Sequence, residues 1–369
     1  MEIIIFTSYL ILLWYVLNIF WLIIGFNKVK SFEDHKESAA TKFTILVPFR
    51  NEKENLPQLL GSFDKLNYPT DFFEVILIDD RSEDAYEFQK REYALTLIDN
   101  VRKSGSPKKD AINSAIAVAK NDWIITTDAD CVVPENWLLT IDTFIQHTNP
   151  KMIASGVSYD KGVSLLACFQ QVDMLSLQGT TLGSFGNKQA FMCNGANFCY
   201  QKSFFIALEG FAGNNNIASG DDVFLLQKAM GKDPEAVRFL KSAKTIVNTK
   251  PEASWKSLFY QRVRWASKTA NYKSVYSKQV AISVFLMNSI FLFYFITLFL
   301  FPISIQILMW FFAMKFLIDF VLLKQSAIFF KKQLHYLLLC SLIYPFFSVL
   351  VVVYSFFGKY HWKGRTFKK

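Results

Sequence analysis

Residues 123–130 read WIITTDAD, a short run rich in β-branched and aromatic residues that closes on two aspartates spaced one residue apart. Such a run is a buried strand rather than a helix, because it is only a few residues long and its residue types fit a pleated sheet. Side chains at i and i+2 of an extended chain share a face, so Asp128 and Asp130 aim the same way. Two carboxylates so placed repel each other unless a cation joins them, which suits Mg2+ or Mn2+ completed by water and the oxygens of a diphosphate. The alternative is a solvated turn whose aspartates cap a helix.

Working outward, the same pattern recurs. Residues 74–80 read EVILIDD and place Asp79 and Asp80 at a second strand end. Strands are expected over 43–47, 74–78, 94–98, 123–127 and 152–157, and helices over 55–63, 84–90, 109–119 and 134–144. This alternation describes consecutive βα units and a mostly parallel sheet. In an open parallel sheet ligands bind beyond the carboxyl ends of the strands. Asp80 is therefore a candidate to read a nucleotide's base and ribose, with Pro48, Arg50, Asn51 and Glu52 of VPFRNE forming the opposite wall; a plain turn before a capped helix explains the same residues.

Three further elements carry chemistry. SGSPKKDAIN puts Lys108 and Lys109 at a helix start, where free N–H groups already favour a phosphate, though a solvated lysine pair fits too. GDD (Gly220, Asp221, Asp222) opens another helix, where one carboxylate can cap and the other act as general base. QRVRW (261–265) places Gln261, Arg264 and Trp265 on one helical face. They offer an amide, a guanidinium that grips phosphate oxygens and an indole on which a sugar can stack. A basic aromatic helix beside a membrane is the plainer explanation of that last motif.

The chain as a whole is strongly apolar, with 52% hydrophobic residues and 38 phenylalanines among 369. Stretches 3–26, 280–301, 303–323 and 334–357 each run about 20 residues with almost no charge, enough to cross a hydrocarbon core as a helix. The first lacks a basic leader and a small-residue cleavage site, so it reads as a retained anchor. Between anchor and second stretch lie about 250 residues of soluble character, enough for a domain with its own core. Lysines flank the apolar stretches and build a net charge of +9. Anchoring by positive charge and attraction to membrane lipid headgroups accounts for this better than nucleic-acid binding. Residues 162–186 are too polar to span and suit either a domain helix or one lying on the membrane surface. Lys315 and Asp319, four apart in the third stretch, can pair inside a bundle. Five cysteines without a C-x-x-C pair fit a reduced compartment and not a zinc site. Four full spans would leave the basic tail 359–369 opposite the catalytic side, so either one stretch is re-entrant or the tail breaks the charge rule.

Taken in order, DD, DAD, GDD and QRVRW resemble the membrane-bound family 2 glycosyltransferases, the group of cellulose and hyaluronan synthases and ceramide glucosyltransferase. The resemblance covers nearly the whole chain. It implies an N-terminal anchor over 1–27, a Rossmann-like GT-A domain over 40–272 that includes the QRVRW helix, and C-terminal transmembrane helices over 279–358 before the basic tail. It implies an inverting, metal-dependent hexosyl transfer from a nucleotide sugar, UDP-linked, at the cytoplasmic face of a bacterial inner membrane. By the resemblance Asp80 contacts uridine, Asp128 and Asp130 hold diphosphate and metal, and Arg264 helps form the diphosphate site; Pro48, Arg50, Glu52 and Lys109 are the further donor-side candidates that the strand-end and helix-start readings give. Asp222 is the base, although GDD departs from the more usual pair containing Glu. Gly195 and Asn197 of CNGANFCY stand with Gln261 and Trp265 on the acceptor side. HWKGRTF (361–367) is similar to the W-x-G-R ending of ceramide glucosyltransferase-like members. With only three apolar stretches after the domain, a single transfer to a membrane lipid or glycan is expected over a processive polysaccharide synthase. A non-catalytic transporter or scaffold with a degenerate nucleotide-binding domain is the reading from another class.

Overall fold

The structure is a computed structural model that describes all residues except 1, 34–37, 85, 161, 216, 299–303, 358–359, 363–364 and 368–369. The chain divides into two compact units: a sheet unit, Val29–Asp160 with Ala190–Lys250, and a helical unit, Met1–Lys28 with Lys161–Gln189 and Pro251–Lys369.

The sheet unit contains β1 (Phe43–Phe49), β2 (Phe73–Asp79), β3 (Ala94–Asp99), β4 (Trp123–Thr126), β5 (Cys131–Val132), β6 (Met152–Ser155), β7 (Val157–Tyr159), β8 (Phe198–Gln201), β9 (Val237–Leu240) and β10 (Val247–Thr249). The large sheet runs β3-β2-β1-β4-β8-β6-β9, and a small one runs β5-β10-β7. β1 lies parallel to β2 and β4, β2 parallel to β3, and β8 antiparallel to β4 and β6. The mostly parallel, mixed α/β sheet is the one the strand pattern predicts. β1 and β2 are apolar on both faces because both are covered, the rule for parallel strands. Pro48 is tolerated near the middle of the sheet because β4 stops pairing at Leu46↔Thr126.

The helices of this unit are α2 (Leu56–Phe63), α3 (Pro107–Val118), α4 (Trp137–Thr148), α6 (Lys202–Ala207) and α7 (Asp221–Lys232). No helix forms over 84–90 among the described residues. Asp84 instead accepts from the Lys53 amide, and Tyr86 packs edge-on against Phe88 at 4.7 Å, an i, i+2 spacing that belongs to extended chain. The strand expected over 152–157 is broken at Gly156 and feeds both sheets, β6 the large and β7 the small.

The helical unit consists of α1 (Glu2–Lys28), α5 (Leu165–Gly186), α8 (Trp255–Ser267), α9 (Val275–Thr297), α10 (Ser304–Phe329) and α11 (Leu337–Phe357). Among the described residues four helices, α1, α9, α10 and α11, are long and apolar enough to cross a membrane. The 162–186 stretch groups with them rather than with the sheet. The side chain that a Cβ at Gly25, Gly183 or Gly186 would begin collides with the backbone of the facing helix, so α1 and α5 touch backbone to backbone. Gly179 is similarly closed in by Ser326 and Leu322 of α10. Lys315 and Asp319 do pair, at 2.6 Å, and Tyr15 donates to the same carboxylate at 2.6 Å. α8 is fixed to α5 by a buried ion pair between Arg262 and Asp173 at 2.6 Å. α8 belongs by compactness to the helical unit. The W-x-G-R tail includes residues 363–364, outside the described residues; around them Tyr360–Trp362 and Arg365–Phe367 form a two-stranded ladder.

Gly186→Val should lower thermal stability in detergent micelles by about 3 kcal/mol or more, because a backbone contact cannot relax around a new side chain. Gly61→Ala, in α2 with nothing within 4 Å of the added carbon, should leave it equal or higher.

Candidate active site

Because β1, β2, β3 and β4 run parallel, their carboxyl ends deliver their following loops to one edge of the sheet. There the Arg50 guanidinium donates to the carbonyls of Asp80 at 2.9 Å and Arg81 at 2.5 Å, and pairs with Glu83 at 2.8 Å. It fastens the loop after β1 to the loop after β2. Both loops turn through left-handed residues, Asn51 (φ 53°) and Arg81 (φ 61°). Asn51 Oδ1 accepts from Glu83 N, and Asn51 N donates to Ser82. Pro48 precedes this turn in β1; the buried Glu52 follows it and accepts through its carbonyl from Asn55 and Leu56, starting α2. Asp80 is almost buried; its carboxylate accepts from Asn100 at 2.8 Å and faces Arg102 at 3.3 Å.

The densest charge lies beside the end of β4. Lys108, in the first turn of α3, reaches Asp128 Oδ1 at 2.6 Å and Asp221 Oδ2 at 3.4 Å. Asp222 completes the group, its Oδ2 accepting from Gly195 N at 3.0 Å and its Oδ1 from Val223 N at 2.7 Å. Asp221 and Asp222 occupy the first turn of α7, where the helix dipole favours carboxylates, and Gly220 supplies the left-handed entry (φ 82°). Neither carboxylate is the N-cap. Burial alone would pull the Lys108 ammonium down, but Asp128, Asp221 and Asp222 outweigh it and hold the group well above the ordinary lysine value. A Cβ on Gly195 would stand 3.1 Å from Asp221 Oδ2 and 3.3 Å from Lys108 Nζ, so the lack of a side chain is what lets the cluster close. Thr126, at the end of β4, holds Gly195 in place by donating to its carbonyl at 2.7 Å.

Two expected contacts are placed differently. Lys109 is fully buried and donates to the carbonyls of Asn214 at 2.8 Å and Ile217 at 2.9 Å, with its ammonium 5.0 Å from the Phe224 ring. Lys109 thus braces the loop before α7, and Lys108 is the lysine that meets the carboxylates. Asn197 is also committed inward: it donates to the carbonyls of Gly156 at 2.8 Å and Thr245 at 2.7 Å and accepts from Trp137 at 3.0 Å. It supports the Gly195 turn from beneath instead of facing an acceptor.

Gln261, Arg264 and Trp265 stand on α8 in the helical unit. Gln261 donates to Glu252 at 2.7 Å, and the Arg262 guanidinium lies 4.2 Å from the centre of the Trp265 ring.

Asp128 and Asp130 offer hard oxygen donors of the kind Mg2+ or Mn2+ prefers, and Asp128 already attracts a cationic group. Among the described residues no three His, Cys, Asp or Glu side chains gather to hold an ion. Two carboxylates leave most positions of such an ion to be filled by a ligand and water. Next to Asp130, burial and the two aspartates push the Cys131 thiol up, leaving it inert.

Asn197→Ala, which strips partners from two buried carbonyls and an indole N–H, should cost about 3 kcal/mol of stability in chemical denaturation. Lys109→Met should likewise lower the melting temperature, whereas Lys108→Met should act mainly on ligand binding.

Residues 44–208 match the family described as Glycosyl transferase family 2. A probable glycosyltransferase, YdaM of Bacillus subtilis, is 27% identical over 237 residues, covering 61% of this chain and 54% of that protein. The beta-monoglucosyldiacylglycerol synthase of Trichormus variabilis is 26% identical over 136 residues, covering 36% of this chain and 29% of that protein. The chain thus spans about half the length of the first relative and under a third of the second. Among solved structures, the mannosyltransferase PcManGT from Pyrobaculum calidifontis, in complex with GDP-Man and Mn2+, superposes with a TM-score of 0.54 at 15% identity, covering 89% of this chain and 98% of that one. That likeness is one of fold. Residues 44–208, which hold β2 to β8 and all but the first residue of β1, are thus similar to glycosyl transferase family 2.

Proposed function

We propose that the chain is an inverting hexosyltransferase that moves a sugar from a UDP-linked donor to a hydroxyl of a membrane-lipid or glycan acceptor, at the cytoplasmic face of a bacterial inner membrane. The observation that carries this reading is the meeting of Asp128, Asp221 and Asp222 around Lys108 beyond the carboxyl ends of parallel strands. A lipid acceptor is favoured because three apolar helices follow the domain and because one relative is a diacylglycerol glycolipid synthase.

In this reading Asp80 and the Pro48, Arg50 and Glu52 loop receive the uridine end of the donor, and Lys108 and Arg264 meet the diphosphate. Asp128 and Asp130 would hold Mg2+ or Mn2+, which would supply positive charge against the departing diphosphate. Asp222 takes the proton of the acceptor hydroxyl as its oxygen attacks the anomeric carbon from the side opposite the breaking sugar–phosphate bond, which inverts the centre. The Gly195 N–H, donating to Asp222, fixes the carboxylate's orientation. Gln261 and Trp265 hold the acceptor sugar or headgroup.

Asp222→Asn should reduce sugar transfer by about 10²- to 10⁴-fold while UDP affinity changes less than about threefold. Product mass spectrometry after incubation with a panel of nucleotide sugars and extracted lipid reads the first, and calorimetry the second. Wild-type turnover by this variant would remove Asp222 from the role of base.

A further inference from the structure

We propose that Lys108 is a built-in counter-ion that fills the cation position at Asp128 until a donor arrives, so that the divalent ion enters only together with the nucleoside diphosphate. The inference rests on the donor-site reading above and adds an order of events to it.

Three features carry it. The ammonium sits 2.6 Å from Asp128 Oδ1 and 3.4 Å from Asp221 Oδ2, so it occupies ground that a divalent ion would need. Neither partner is sealed in: the Lys108 side chain is 20% exposed and that of Asp128 39%. Lys108 can therefore swing on its four-carbon stem without backbone movement, whereas Lys109 beside it is pinned by two carbonyls. Finally, Gly195 presents no side chain to Lys108 Nζ, which would lie 3.3 Å from a Cβ there, so the lysine is not wedged on that side.

A bare divalent ion approaching Asp128 meets an ammonium already paired there, and like charges a few ångströms apart repel strongly in a partly desolvated site. A diphosphate changes both terms at once. Its oxygens give Lys108 a partner of higher negative charge and give the ion the ligands that Asp128 and Asp130 alone do not provide. Lys108 passes from carboxylate to phosphate, and the ion takes its place. No covalent bond changes in this exchange.

The test measures Mn2+ binding by electron paramagnetic resonance on the full chain in detergent micelles, with and without UDP. Wild-type protein should bind Mn2+ at least about tenfold more weakly alone than with saturating UDP. In Lys108→Met and Lys108→Gln, Mn2+ alone should bind about tenfold more tightly than in wild type, with melting temperatures checked for folding; Lys108→Arg, which keeps the charge, should retain the exclusion. If wild-type protein binds Mn2+ equally well with and without UDP, the proposal is overturned whatever the variants do. Folded Met and Gln variants that bind Mn2+ alone no better than wild type overturn it while leaving the donor site standing. Absence of Mn2+ binding under every condition overturns the donor-site reading and this one with it.

Discussion

Carboxylates gathered within a few ångströms of one another cannot all stay ionised without compensation, and this constraint organises the sheet unit around its acidic edge. Asp128 comes from the end of β4, Asp221 and Asp222 from the start of α7, and Lys108 from the start of α3. Three elements distant in sequence are thereby tied through one ammonium. The supports around it follow the same logic. Thr126 fixes the Gly195 turn, Asn197 props it from inside, and Lys109 braces the loop that delivers α7. Buried polar groups are costly unless satisfied, so each support is a fully engaged hydrogen-bonding residue rather than a passive spacer.

Much of this was legible in the chain because parallel strands write themselves as short apolar runs and end where their acids begin. β1 and β4 begin at the expected residues and β2 one earlier, and Asp80 and Asp128 lie just beyond their strands; β4 stops at Thr126, however, and Asp130 sits in the turn before β5, so the two aspartates are not carried on one extended strand. The helix expected over 84–90 does not form: Tyr86 and Phe88, two apart, pack together as extended chain does. The two lysines illustrate a different limit. Neighbours on a helix point about 100° apart, and the sequence gives no direct measure of which one faces the ligand. The signal available was weak: Lys109 precedes Ile112 and Ile116 by three and seven residues, and all three are buried. Asn197 was misplaced for want of its partners, since Gly156, Thr245 and Trp137 lie 40 to 60 residues away in sequence, beyond any local pattern.

In the helical unit polar residues do different work. Arg262 with Asp173 joins α8 to α5, and Lys315 with Asp319 and Tyr15 joins α10 to α1, across a largely apolar set of helices. In surroundings with little water such pairs add direction more than stability, because only one arrangement of the helices satisfies them.

The glycine contact between α1 and α5 has a consequence for biogenesis. Gly25 emerges early in synthesis, but its partners Gly183 and Gly186 follow only after β1 to β7 and their intervening helices have been made. Throughout that interval the first helix lacks the partner whose backbone it touches. Completion of the helical unit is therefore timed by translation of the sheet, and a pause or truncation before residue 183 leaves the first helix with its small-residue face uncovered, exposed to quality control.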